Sequence, residues 1–243
     1  VREKCKLALS EMKVHESFDN LLEEVDLVDV TTPPESHARY SIQALKSGIH
    51  VMAEKPMTRT WWEALEIVKA ARRSKAIFQL NENYVFDSRF VATKKIVERG
   101  GIGKVERASF GQGYSFAGYW RENRGEWRIQ PFHSGGGCLM DLGPHQFGSA
   151  LNLIGMGKRS YRVKSEHMDV LHRTKEIRQL AKLMDLAVEC EADVRSLFED
   201  SETGDWVTTR ATVSWNFESP AWYWRIDGTE GSVVLSPVDN TLT

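Results

Sequence analysis

The spacing of apolar residues changes period near residue 103, so a single layer of one element type cannot absorb the whole chain. Over the first 85 residues, short apolar runs alternate with amphipathic segments. VDLVDVTT (25–32) reads as a strand and PPESHARYSIQALKSG (33–48) as a helix. Its prolines suit a first turn and Gly48 suits the stop. IHVMAEK (49–55) is a second strand and TRTWWEALEIVKAARRS (58–74) a helix with Ala64, Ile67, Val68 and Ala71 on one face. AIFQLNENY (76–84) is a third strand. Strand and helix repeating in this order predict βαβ units and a parallel sheet.

Beyond that point the period becomes two. VTTRATVSWNF (207–217) alternates strictly, and AWYWRI and SVVLS flank the hairpin signal Asp-Gly-Thr-Glu-Gly. VERASFGQGYSF (105–116) and YRVKSEHMDV (161–170) are further strands, with one embedded helix over 142–154. The charged segment 171–193 reads as a surface excursion. The expected organisation is an α/β domain over 1–86, then an α+β domain with a large, mostly antiparallel open sheet over 87–243.

Composition narrows the partners. A net charge of -2 gives no basic field for nucleic acid or anionic membrane. No apolar run reaches membrane-spanning length, and VREKCKLALSEMK lacks the apolar core of a signal peptide. Cys5, Cys138 and Cys190 are far apart and odd in number, which points to a reducing, cytoplasmic setting. Cys5, Leu7, Ala8 and Met12 form an apolar stripe, so the sequence reads as a fragment starting inside a helix.

Two strand ends carry unusual residues. One is Thr31-Thr32-Pro33-Pro34 with His37 close behind, and the other is Glu54-Lys55-Pro56. Open parallel sheets take ligands at the carboxyl ends of their strands, where a lysine can donate to a substrate oxygen. Prolines also simply stop strands and start helices, which is the competing explanation. The second constellation is SGGGCLMDLGPHQFGSALNLIG (134–155). Three glycines allow close backbone approach, and Asp141 and His145 share a helix face at a spacing of four. A carboxylate beside an imidazole suits a general acid–base histidine; a helix N-cap for Asp141 and a structural role for His145 are the alternatives. Cys138, Asp141, His145 and nearby His133 match no zinc signature, so no metal site is expected. The glycine clusters GQGYSFAG (111–118) and GMG (155–157) read as bulges or turns. Trp120 and Trp127 lie in an Arg-rich loop suited to stacking on a flat ligand.

In order along the chain, VDLVDVTTPPESH, GIHVMAEKPM, ENYVF, GGIGKVERASF, WRI, SGGGCLMDLGPHQF and IDGTEGSVVLS resemble the Gfo/Idh/MocA family of NAD(P)-dependent oxidoreductases. The resemblance implies a Rossmann-like parallel sheet followed by an α+β domain that forms a homo-oligomer, dimer or tetramer, through its open sheet. It implies hydride transfer between NAD or NADP and a secondary hydroxyl or ketone of a sugar, cyclitol or related diol. Lys55, Asp141 and His145 then correspond to the catalytic set. Thr32, Pro33, His37, Glu54, Lys55, Pro56 and Asn83 correspond to cofactor contacts, and Trp120, Arg121, Trp127 and Arg128 to substrate contacts. The family's first strand and its G-x-G-x-x-G turn are missing from the sequence, so the Rossmann-like domain is expected to be truncated. This departure makes a non-catalytic binding or regulatory member the alternative. Redox-assisted glycoside cleavage with tightly held NAD is a third reading within enzymes.

Overall fold

The computed structural model describes residues 13–115, 127–155, 160–170, 188–236 and 242–243. The chain divides into two compact units, Val1–Thr32 with Ser36–Asn81, and Pro33–Glu35 with Glu82–Thr243.

The first unit holds three parallel strands in the order β1 (Leu27–Val30), β2 (His50–Glu54), β3 (Phe78–Asn81). Helix α1 (Phe18–Leu22) precedes β1, while α2 (His37–Lys46) and α3 (Trp61–Arg73) form the crossovers. Thr60 starts α3 with a reciprocal capping box to Glu63, which satisfies two amide donors at the helix start. Gly48, at φ 79°, lets the chain turn back into β2. Val28, Val30, Val51 and Ala53 of the strands pack with Ala44, Leu45 and Ile67 of the two helices. Burying Leu45 and Ile67 contributes about 1.5–3 kcal/mol each. The third strand is shorter than its apolar run suggested. It ends at Asn81, because the Glu82 carboxylate accepts from the Tyr84 amide at 3.0 Å and starts a 3₁₀ turn over Asn83–Phe86.

The second unit is built on six strands, β4 (Val105–Ser115), β5 (Tyr161–Val170), β6 (Glu191–Asp200), β7 (Trp206–Ser214), β8 (Asn216–Gly228) and β9 (Ser232–Leu235). Their order is β5-β6-β7-β4-β8-β9, and every pairing is antiparallel except β4 with β7. Helices α4 (Ser88–Glu98), α5 (Pro131–Ser134) and α6 (Cys138–Leu153) belong to this unit. Phe90 of α4 and Ala150 and Leu153 of α6 close the core against Phe110, Trp224 and Ile226 of the sheet.

The surface excursion expected as far as residue 193 does not extend that far, since residues 191–193 are buried in β6. Asp193 is tolerated there because Arg195 (2.9 Å), Arg210 (2.7 Å) and Thr212 (2.8 Å) donate to its carboxylate. Helix α6 starts four residues before the expected 142. Gly111 lies inside β4, and the register shifts between Gly113 and Ser115, as a bulge requires. The β8–β9 hairpin closes with the Gly228 amide donating to the Gly231 carbonyl at 2.8 Å.

Candidate active site

Helix α6 carries Asp141 and His145 and begins without a side-chain cap of its own, since its N-cap residue is Gly137. Glu189, just before β6, supplies what is missing. Its backbone carbonyl accepts from the Cys138 amide at 3.0 Å, and its Oε1 accepts from the Leu139 amide at 3.0 Å. Both are among the four amides a helix start leaves unpaired, and a carboxylate there also offsets the helix dipole. Only glycine permits this approach, because a Cβ on residue 137 would lie 2.0 Å from the Glu189 carbonyl oxygen. Pro144 sits inside the helix without ending it, at the cost of the amide that would have bonded the Met140 carbonyl.

His145 is nearly buried, with its side chain 8% exposed. Its Nδ1 lies 2.7 and 2.9 Å from the two carboxylate oxygens of Glu82. The ring of Tyr84 stacks on the imidazole with centroids 4.1 Å apart and planes 10° from parallel. The Tyr84 hydroxyl accepts from Gln112 at 2.5 Å, and Gln112 accepts from Gln146 at 2.6 Å, so the stacked ring is held from behind. Burial, together with the adjacent Tyr114 hydroxyl, pushes the Tyr84 phenol up, so it stays protonated at any physiological pH.

Asp141 is held differently. Its Oδ2 accepts from Trp215 Nε1 at 3.3 Å and its Oδ1 lies 3.7 Å from Arg128 Nε. Arg128 in turn stacks over the Trp127 ring at 4.4 Å. Of the residues the sequence suggested, Asp141, Trp127 and Arg128 thus come together. Trp120 and Arg121 lie outside the described residues. Cys138, weighed as a metal ligand, packs among Leu142, Val213 and Trp215, where burial raises its thiol well above the ordinary range. Glu82 was not singled out by the sequence. The signal available for it was its place immediately before Asn83, at the end of the third apolar run.

In the first unit the carboxyl ends of the strands carry exposed Thr32, half-buried Glu54 and Lys55, and buried Pro56. The Lys55–Pro56 peptide is cis. His37 is fully buried, with Nε2 2.6 Å from the Thr32 carbonyl and Nδ1 2.9 Å from the Pro56 carbonyl. The buried ring thus lies between the β1 and β2 end loops, with a backbone carbonyl of each facing one of its nitrogens. The Thr32 hydroxyl bonds Ser36 at 2.6 Å, and the Lys55 amide donates to Glu54 at 3.3 Å. Asn83 is exposed on the 3₁₀ turn of the second unit, whose compact body also takes in Pro33.

The first unit is an open parallel sheet with polar groups at its strand ends, and the second is an α+β unit with a carboxylate-held histidine. The comparisons with known proteins carry this further. Residues 3–82 match the Gfo/Idh/MocA oxidoreductase family with its NAD-binding Rossmann fold, and residues 90–173 match the Gfo/Idh/MocA C-terminal domain. The chain belongs to this family. An uncharacterised oxidoreductase of Schizosaccharomyces pombe is 33% identical over 155 residues, covering 63% of this chain and 40% of that protein. The scyllo-inositol 2-dehydrogenase (NADP(+)) of Bacillus subtilis is 28% identical over 166 residues, covering 66% of this chain and 45% of its own. Among solved structures, the aldose–aldose oxidoreductase of Caulobacter crescentus shares the fold, with a TM-score of 0.77 at 22% identity, covering 98% of this chain and 66% of that one. The chain therefore matches less than half the length of these curated relatives.

The family model describes an NAD-binding Rossmann fold, and the polar residues at the strand ends fit the chemistry of a nicotinamide dinucleotide. The Thr32 hydroxyl, the Lys55 ammonium and the Glu54 carboxylate form a donor and acceptor set suited to ribose hydroxyls and a carboxamide. Among the described residues, no helix is long and apolar enough to cross a membrane.

Proposed function

We propose that the protein transfers a hydride between NAD or NADP and a secondary hydroxyl or ketone of a sugar, cyclitol or related diol. The observation that carries this reading is the nearly buried His145, engaged at one ring nitrogen and sharing a helix with Asp141. Family membership in both halves of the chain and the names of the relatives support it.

When bound, the nicotinamide ring supplies the hydride acceptor or donor. The chain's own groups supply the rest. His145 takes the hydroxyl proton during oxidation and returns it during reduction, a role typically contributing about 10²–10⁴ in rate. Lys55 donates a hydrogen bond to the reacting oxygen and stabilises its developing negative charge. Asp141 and Arg128 bond neighbouring hydroxyls of the substrate, and Trp127 offers an apolar face to the ring. Assembly as a homo-oligomer through the six-stranded sheet, in a reducing cytoplasm where Cys138 and Cys190 stay as free thiols, completes the proposal.

The test is turnover by the full-length protein against a panel of cyclitols and aldoses with either cofactor, alongside Lys55→Ala and His145→Ala. Both variants should lose activity while keeping the wild-type circular dichroism spectrum. Near-normal turnover in both would remove the assigned roles.

A further inference from the structure

We propose that Glu82 is the positioning residue of His145: it fixes the ring so that Nε2 exchanges the substrate proton, and Gly148 leaves the room for it to do so. The inference rests on the oxidoreductase reading above for its consequence in turnover, but not for its geometry.

An ionised carboxylate only accepts hydrogen bonds. With both oxygens of Glu82 within 2.9 Å of Nδ1, the proton of the neutral imidazole sits on Nδ1 and the lone pair on Nε2. A histidine without this contact would populate both tautomers, and only one of them can accept a proton at Nε2. The same carboxylate faces the ring when Nε2 takes a proton and the imidazole becomes a cation. Glu82 and His145 side chains are only 13% and 8% exposed, so a cation formed there without a counter-charge would be poorly solvated.

Glu82 is itself held rigidly. Its Oε1 accepts from the Tyr84 amide at 3.0 Å, and the same turn places the Tyr84 ring flat against the imidazole. One short segment therefore fixes both the edge and the face of the base. Gly148, three residues after His145 in α6, is the second independent sign. A Cβ there would lie 3.2 Å from Glu82 Cγ, tighter than most Cβ contacts, so the Glu82 side chain would have to shift by a few tenths of an ångström. Glycine in a helix interior is less favourable than alanine by about 1 kcal/mol, so local helix stability does not account for it. The passage of Glu82 does. The two carboxylates then divide the work, with Glu82 on the imidazole and Asp141 beside Arg128 and Trp215.

The experiment combines ¹⁵N-edited NMR of the imidazole nitrogens with steady-state kinetics on wild type, Glu82→Gln and Gly148→Ala. His145→Ala serves both to assign the signals and as the activity control. Wild type should show His145 as the Nδ1–H tautomer with a downfield Nδ1 proton. In Glu82→Gln that proton should move upfield, and kcat should fall on the order of 10–10² while KM and cofactor affinity stay within about twofold. Gly148→Ala should lower kcat in the same direction with no loss of thermal stability. An Nε2–H tautomer in the wild type would overturn the proposal. So would a Glu82→Gln kcat within about twofold of wild type when His145→Ala is inactive. If His145→Ala remains fully active, the oxidoreductase reading fails instead, and the tautomer alone decides the role of Glu82.

Discussion

Replacing Gly137 with alanine should damage the protein far more than one methyl group suggests. The new Cβ would lie 2.0 Å from the Glu189 carbonyl oxygen and 2.9 Å from both its carbonyl carbon and its amide nitrogen. Non-bonded heavy atoms rest at about 3.5–4.0 Å, so either the start of α6 or the segment before β6 must move by about 1 Å or more. That displacement breaks the bonds from the Cys138 amide to the Glu189 carbonyl and from the Leu139 amide to the Glu189 carboxylate, each 3.0 Å long. The neutral bond contributes about 1 kcal/mol and the charged one about 1.5–3 kcal/mol. Alanine recovers about 0.4–1 kcal/mol by restricting the unfolded chain. The net loss is about 1.5–3.6 kcal/mol, which for a protein of this size lowers Tm by about 3–14 °C. Thermal and urea unfolding followed by tryptophan fluorescence measure this directly. Glu189→Ala should cost less, because the backbone carbonyl survives, and the double variant should be clearly less than additive. A Gly137→Ala protein melting within about 1 °C of wild type would refute the capping argument.

Other expectations follow from buried groups. Burial, reinforced by the carboxylates of Glu189 and Glu191, pushes the Cys190 thiol up to about 12, and the Cys138 thiol is raised further still. Neither should react with iodoacetamide at pH 8 in the native protein, and both should react in urea, as peptide mapping by mass spectrometry will show; rapid native labelling of either would contradict their burial. Burial pushes the Asp193 carboxyl up, but hydrogen bonds from Thr212, Arg210 and Arg195 outweigh it and hold the group below the usual carboxylate range. Its stabilisation is therefore present above the unfolded-state value and is lost as pH falls through the folded one. Asp193→Asn should lower stability at neutral pH by about 1–3 kcal/mol and flatten the acid limb of the stability profile. An unchanged acid limb would show that Asp193 does not contribute to it.

Period and punctuation made the architecture legible. The change from a helical to a twofold period separated the parallel from the mixed sheet, and Gly48 and the Asp-Gly-Thr-Glu-Gly turn marked real turns. The whole of β6 escaped the sequence reading, and its opening residues include the acidic Glu191 and Asp193. The burial of Asp193 depends on Arg210 and Thr212 of the neighbouring strand, and no local pattern reports a cross-strand partner. The start of α6 was hidden for a similar reason, since the helix begins on a glycine and borrows its cap from residue 189. At the site, spacing paired Asp141 with His145, but the carboxylate bonded to the imidazole is 63 residues away in sequence. His37, which the family resemblance placed along the cofactor, has its two ring nitrogens against the backbone carbonyls of Thr32 and Pro56, a placement no local pattern reports. In each case what escaped the sequence is a long-range polar partner.

Calorimetric titration of the full-length protein with NADH and with NADPH tests the proposed nicotinamide-dependent oxidoreductase function most directly. Saturable binding of at least one, retained in His145→Ala, is the expected result. Failure of both to bind at millimolar concentration would contradict it.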